Sequence, residues 1–501
     1  MMSQAGLIEE MQADIVIIGG GAGGLSAALE ARDRGINNVV VLEKMNAPGG
    51  NAVFPNLMLQ LSWDGRPPKL PCMDDNRIVD GDPRIDPDYT IRTDAYFKAA
   101  MEWNHWRGDA RLIRTLINKS EEVPEWLKSK MEPEDYEGYI DNPEAMTGKG
   151  GLAKLLIREC NRQGVKILCN TAAKKLLKDE TGAAAGVLAE TKDGGKLIVR
   201  STKVIIATGG FMGDEELMSR YFPNYDENTL NDLVIVGFKR SGDGIKMAFE
   251  IGAASDGTVA FEFNLNRVPY LGASPSPFRD FLFTEKNPEH VWVTPQGVRF
   301  VDESKLNITN SMYRLPHKTC YILFSENIKE HILNKQPSIF RWHLYKEKSL
   351  EEQITKLVEA GQVKIANTWE EIASWIGAEA AVLKETIAEY NSFCEKGHDD
   401  WFCKDPKAMI PLIKPPFYAS RCQMSMLVTR GPLKVNIKME LLDKNDNPLP
   451  GFYAAGVDIG GTDSDTYASS VASHSLRFAL SSGRIAAESA ARSILAAKQI
   501  K

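Results

Sequence analysis

The stretch "ADIVIIGGGAGGLSAALEARDRGINNVVVLEK" (13–44) constrains the fold more than any other part of this chain. An apolar run of strand length is followed by a glycine turn, an Ala/Leu-rich helical segment and a second apolar run that ends in an acid. In that order the pieces predict a βαβ unit. Gly19, Gly21 and Gly24 carry GxGxxG spacing, which suits a tight turn, close backbone approach to a pyrophosphate and close helix–strand packing. The free N–H groups and dipole at the start of the helix favour an anion there. Glu43 closes the second strand, where a carboxylate can accept both hydroxyls of a ribose.

A chain of 501 residues exceeds what one core supports and predicts at least two lobes. The formal net charge of −7 gives no electrostatic footprint for nucleic acid or an anionic membrane surface. Seven cysteines are scattered without a CxxC pair, which argues against a disulfide framework, a zinc site or a cluster; no metal is expected. The opening "MMSQAGLIEEMQADIVIIGG" has neither a basic start nor an uninterrupted apolar stretch, and no apolar run reaches the roughly 20 residues that span a bilayer. A cytoplasmic protein without membrane insertion is the expectation.

Beyond the βαβ unit, "NAPGGNA" (46–52) reads as a loop, and 96–130 and "GKGGLAKLLIRECNRQG" (148–164) read as helical. Residues 165–211 read as short strands, with "KVIIATGGF" returning to the first sheet. From about 225 the composition shifts toward Pro, Asn and aromatic residues, marking a second lobe. In "TWEEIASWIGAEAAVLKETIAEYNSFCEKG", Thr368 with Glu371 predicts a helix cap. The segment from "PPFYAS" onward reads as hairpin-like and leads into a final helix.

Taken together, "IVIIGGGAGGLSAAL", "LEK…PGGN", "KVIIATGGF", "SGDGIKMAFEIGA", "VTPQGVRFVDES", "ETIAEYNSFCEKG" and "PLPGFYAAG…SGRIAAE" resemble the fumarate reductase and succinate dehydrogenase flavoprotein superfamily. The resemblance implies an α/β fold: a Rossmann-like FAD-binding domain with a parallel sheet, interrupted by an inserted α+β capping domain. The corresponding division is 1–225 and 409–501 for the FAD domain and 226–408 for the cap. It implies Gly19, Gly21, Ala22 and Gly24 at the pyrophosphate, Glu43 and Lys44 on the adenosine side, and Gly49, Gly50 and Asn51 near the flavin. Ala173, Thr208, Gly210, Asp243, Gly456, Asp458 and Ser470 complete the implied cofactor contacts. Relatives that attach FAD covalently use a histidine in the segment matching "GGNAV"; none stands here, so noncovalent FAD is expected.

The departures from that pattern concern the substrate. Fumarate needs fixed cations and bidentate forks for two carboxylates. The proton-donor arginine expected after "RFVDE" falls on Asn307, the histidine pair before the "TMGG"-like turn on Leu427 and Val428, and a further arginine near Tyr467. Fumarate and succinate are disfavoured. Tyr467 matches a tyrosine that 3-ketosteroid dehydrogenases place in this loop, and "SDTY" is similar to a segment of gut-type reductases of enones and isoflavonoids. The expected reaction is reduction, or introduction, of a C–C double bond in a bulky, mostly uncharged substrate. An acrylate-type reductase for a monocarboxylate is the alternative, and a noncatalytic flavoprotein is disfavoured because the cap and flavin turn are both retained. Tyr467 is the first candidate for donor or acid; Tyr313, Arg314 and His317 in "SMYRLPH", Arg267 in "NRVPYLG" and Arg430 are the others. Electrons are expected from an external donor or a partner redox protein.

Overall fold

The computed structural model describes residues 8–53, 89–130, 151–235, 237–238, 240–266, 287–304, 308–334, 350–465, 467 and 474–500. Its central sheet has six strands in the order Glu440–Leu442, Pro448–Ala454, Val204–Ile206, Ile15–Ile18, Val39–Leu42 and Lys166–Leu168. All neighbours are parallel except the hairpin that joins the first two. Ile15–Ile18, Val39–Leu42 and Val204–Ile206 are buried throughout, which is why they are unbroken apolar runs rather than alternating ones. The expected βαβ unit is present, and "KVIIATGGF" does return beside Ile15–Ile18.

Both ends of the chain build this layer. The helix Ala22–Asp33 packs along the final helix, His474–Ile500, and the contact is close enough to require glycine. A Cβ at Gly483 would sit 2.1 Å from the Gly23 carbonyl oxygen, so any side chain there would force the helices apart. Arg484 reinforces the contact from the same helix, with Nε 2.8 Å from Glu30. A second sheet of four strands, in the order Ile8–Gln12, Lys196–Arg200, Ala184–Thr191 and Thr171–Lys178, flanks the first.

The third sheet is organised around one long strand, Phe417–Arg430. Ala260–Asn266, Thr319–Ser325 and Val363–Ala366 pair with it antiparallel and Val234–Ile235 pairs parallel, while Val291–Val293 extends the sheet from Thr319–Ser325. The expected division at 409 separates 417–430 from the strands with which it pairs. Those partners lie between about 50 and about 190 residues away along the chain, and pairing over such separations leaves no local pattern to read. The expected helix cap forms, with the Thr368 hydroxyl accepting from Glu371 N at 3.3 Å at the start of Trp369–Ile376.

Candidate active site

The three glycines of the first turn have different jobs. Gly19 has φ of +104°, and a Cβ there would lie 2.2 Å from the Ala207 carbonyl oxygen; a Cβ at Gly24 would lie 1.9 Å from the Gly19 carbonyl oxygen. Those two serve chain packing. Among the described residues nothing lies within 4 Å of a Cβ built at Gly21. That open face adjoins the start of Ala22–Asp33, where Gly21 is the cap residue and no side chain accepts from the first turn. A helix N-terminus with unclaimed N–H groups and free space in front of it suits a diphosphate.

Glu43 is buried at the end of Val39–Leu42. Its Oε2 accepts from Gly20 N at 2.8 Å and its Oε1 from Met45 N at 2.8 Å. Two amides therefore aim the carboxylate, which retains acceptor capacity for ribose hydroxyls. The neighbouring loop docks on the glycine turn: Gly49 N donates to Gly20 O at 2.7 Å, and a Cβ at Gly50 would lie 3.3 Å from Gly21 Cα. Ala22 is buried behind the turn, and Ala173 sits on a strand tied to Glu43 by the Thr171 N to Glu43 O bond of 2.9 Å.

Lys44 and Asp243 form an ion pair of 2.8 Å, and Lys44 also donates to Ser241 Oγ at 2.6 Å. Burial pushes the Asp243 carboxyl up, but the Lys44 ammonium outweighs it and leaves the group below its ordinary value. Asp458, Thr208 and Gly210 are occupied with one another. The Asp458 carboxylate accepts from Thr208 N, from Thr208 Oγ1 at 2.9 Å and from Gly210 N at 2.7 Å, so it clasps the turn after Val204–Ile206. Its burial pushes the carboxyl above the ordinary value in spite of those donors. Gly456 donates to Ser482 Oγ at 2.9 Å. Ser470 and Arg267 lie outside the described residues.

Arg430 and Tyr467 come together. Arg430 ends the long strand Phe417–Arg430, is fully buried, and pairs through Nη1 with Asp463 Oδ2 at 2.7 Å. Its guanidinium lies 4.0 Å from the Phe478 ring centroid and 5.0 Å from that of Tyr467. Nε and Nη2 have no hydrogen-bond partner among the described residues. The Tyr467 ring packs with Ala260, Val428 and Val457. Its hydroxyl oxygen accepts from Ser475 N at 2.8 Å and lies 2.7 Å from Ser475 Oγ, at the start of the final helix.

The "SMYRLPH" segment does not deliver its candidates in the same way. Tyr313 donates to the Pro223 carbonyl and packs at a tilt against Phe222, with ring centroids 5.2 Å apart; burial, with Asp465 nearby, pushes its phenol up. Arg314 is exposed. His317 is 78 % exposed and meets Asp232 at 3.4 Å, because left-handed backbone at His317 and Lys318 turns the chain outward. Sequence reasoning also missed three partners. Asp463 stands 33 residues from Arg430, Ser475 enters through its backbone, and Arg240 lies buried between Asn51 and the Gly209 turn. A cation just ahead of "SGDG" was the one visible signal.

A family model described as an FAD binding domain (FAD_binding_2) matches residues 134–469. The chain belongs to that family. A second model, described as FAD dependent oxidoreductase, matches residues 14–225. The protein is accordingly an FAD-dependent oxidoreductase of the FAD_binding_2 family, and the open Gly21 face and the aimed Glu43 carboxylate fit the cofactor. Among curated relatives, a vinyl phenol reductase of Lactiplantibacillus plantarum is 26 % identical over 96 % of each chain. A urocanate reductase of Eggerthella lenta is 27 % identical over 89 % of this chain and 70 % of its own. Among solved structures, a 3-ketosteroid delta1-dehydrogenase from Sterolibacterium denitrificans superposes with a TM-score of 0.68 at 17 % identity, covering 96 % of this chain and all of its own, a likeness of fold. Among the described residues no helix is long and apolar enough to cross a membrane.

Proposed function

We propose that this family member reduces, or in reverse introduces, a carbon–carbon double bond in a bulky, mostly uncharged substrate such as a steroid, isoflavonoid or phenolic enone. Bound noncovalently, FAD supplies hydride transfer at its N5 to an electron-poor carbon. The observation that carries the reading is the Arg430–Asp463 pair: among the described residues the cation beside Tyr467 already has its counter-charge, where a dicarboxylate would need several unmatched cations. Leu427 and Val428 add none.

Tyr467 is the donor to the substrate. The Ser475 amide and the helix N-terminus favour negative charge on the phenol oxygen. With Ser475 Oγ donating as well, the tyrosine O–H proton is directed at a carbonyl oxygen as charge develops there. Apolar neighbours Ala260, Val428 and Val457 give a dry wall beside it. The similarity to a vinyl phenol reductase supports a neutral, conjugated substrate. Electrons enter from an external donor or a partner redox protein. A second reading, an acrylate-type monocarboxylate reductase, draws support from the unpartnered Nε and Nη2 of Arg430. Preference of the reduced enzyme for a neutral enone over acrylate and fumarate as electron acceptor tests between them.

A further inference from the structure

Arg240 is 9 % exposed and sits at the carboxyl ends of the parallel strands. Nη2 donates to Asn51 Oδ1, Nε donates to Phe238 O at 3.4 Å, and a Cβ at Gly209 would come within 2.7 Å of Nη1. The guanidinium therefore lies between the loop that follows Val39–Leu42 and the turn that follows Val204–Ile206. Chain order reverses across Ile15–Ile18, between those two strands, which is where a doubly wound sheet opens a crevice for a nucleotide.

A buried cation without a counter-ion is costly. Arg240 has no ion pair among the described residues. Asp458 and Glu43 support its charge from a distance, but neither is in hydrogen-bond contact with it; their oxygens accept from Thr208 and Gly210 and from Gly20 and Met45. Among the described residues the guanidinium thus has no contact ion pair and can take an anion directly. We propose that Arg240 is the cation that matches the diphosphate of FAD, working opposite the open Gly21 face and helix N-terminus. Asn51 holds one edge of the fork, so Arg240 meets the cofactor already oriented, as bidentate recognition of phosphate oxygens requires. The inference concerns the cofactor and stands whichever substrate the enzyme takes.

The test is flavin release from purified holoenzyme, by serial dilution and separation of free FAD, at several salt concentrations. Arg240→Gln should raise the FAD dissociation constant about 10- to 100-fold, the range for loss of one charge-assisted contact, and flatten its salt dependence. Arg240→Lys keeps the charge without the fork and should stay within about tenfold of wild type with the wild-type salt dependence. Wild-type FAD affinity in Arg240→Gln would overturn the assignment. So would unchanged FAD affinity with a raised KM for an anionic acceptor, which would move Arg240 to the substrate. If Arg240→Gln yields no soluble holoenzyme, Arg240→Lys decides: near-complete loss of FAD there would show that shape and not charge is what matters.

Discussion

Arg430 Nη1 and Asp463 Oδ2 are 2.7 Å apart in a pair that is almost wholly buried. The pair joins the last residue of the long strand Phe417–Arg430 to the loop that carries Tyr467, and it holds the guanidinium against the tyrosine ring. Removing one partner of such a pair strands a charge, whereas replacing both does not. Asp463→Ala should lower stability by about 3–5 kcal/mol, measured by thermal unfolding of the FAD-saturated enzyme. The double variant Arg430→Met with Asp463→Leu should recover most of that loss, and failure to do so would mean the pair is not what links strand and loop.

The hydroxyl of Tyr467 is held at the helix start by an amide that no side-chain substitution removes. Tyr467→Phe should therefore cost about 100- to 1,000-fold in turnover at unchanged flavin content. Ser475→Ala leaves the amide in place and should cost no more than about tenfold. Equal turnover in Tyr467→Phe and wild type would return the tyrosine to a packing role.

Gly21 and Gly24 separate cofactor binding from folding. Alanine at Gly21 meets open space at φ of −82°, which any residue adopts, so the variant should melt like wild type without its flavin but bind FAD at least about tenfold more weakly. Alanine at Gly24 runs into the Gly19 carbonyl and should destabilise the fold by at least about 1–3 kcal/mol. Flavin content and melting temperature of the two variants distinguish these outcomes.

The cap has its own acid sensitivity. Arg299 pairs with Glu303 and Asp399, each at 2.7 Å, and Lys404 lies 3.2 Å from Glu303. Burial opposes charge on both acids, but Lys404 and Arg299 at Glu303, and Arg299 at Asp399, outweigh it and hold their carboxyls below the ordinary range. A depressed folded value means the stabilisation is complete above the unfolded values of about 4 and is lost as pH falls through the folded ones. The gap in melting temperature between wild type and Glu303→Gln should be widest near neutrality and close below about pH 4. A gap independent of pH would contradict this.

How much of this was legible in the sequence depends on how local each feature is. Gly19, Gly21, Gly24 and Glu43 lie within one βαβ unit, and their spacing alone placed them around one crevice. The pairing of Phe417–Arg430 is not legible because its four partner strands are scattered from 234 to 366 and its apolar pattern is common to both lobes. Arg430 was named, but its partner Asp463 was not, since an ion pair over 33 residues has no sequence signature. His317 shows the opposite case: its residue type suggests proton transfer, while its left-handed backbone and exposure are visible only in the fold.

Preference for a neutral conjugated substrate is the property proposed for this enzyme. The direct measurement is anaerobic: reduce the FAD of the purified enzyme chemically and follow flavin reoxidation by a steroid enone, an isoflavonoid, a vinyl phenol, acrylate and fumarate in stopped flow. The account predicts rapid reoxidation by one or more of the neutral substrates and slow reoxidation by fumarate. Fumarate reoxidising the flavin fastest would contradict it.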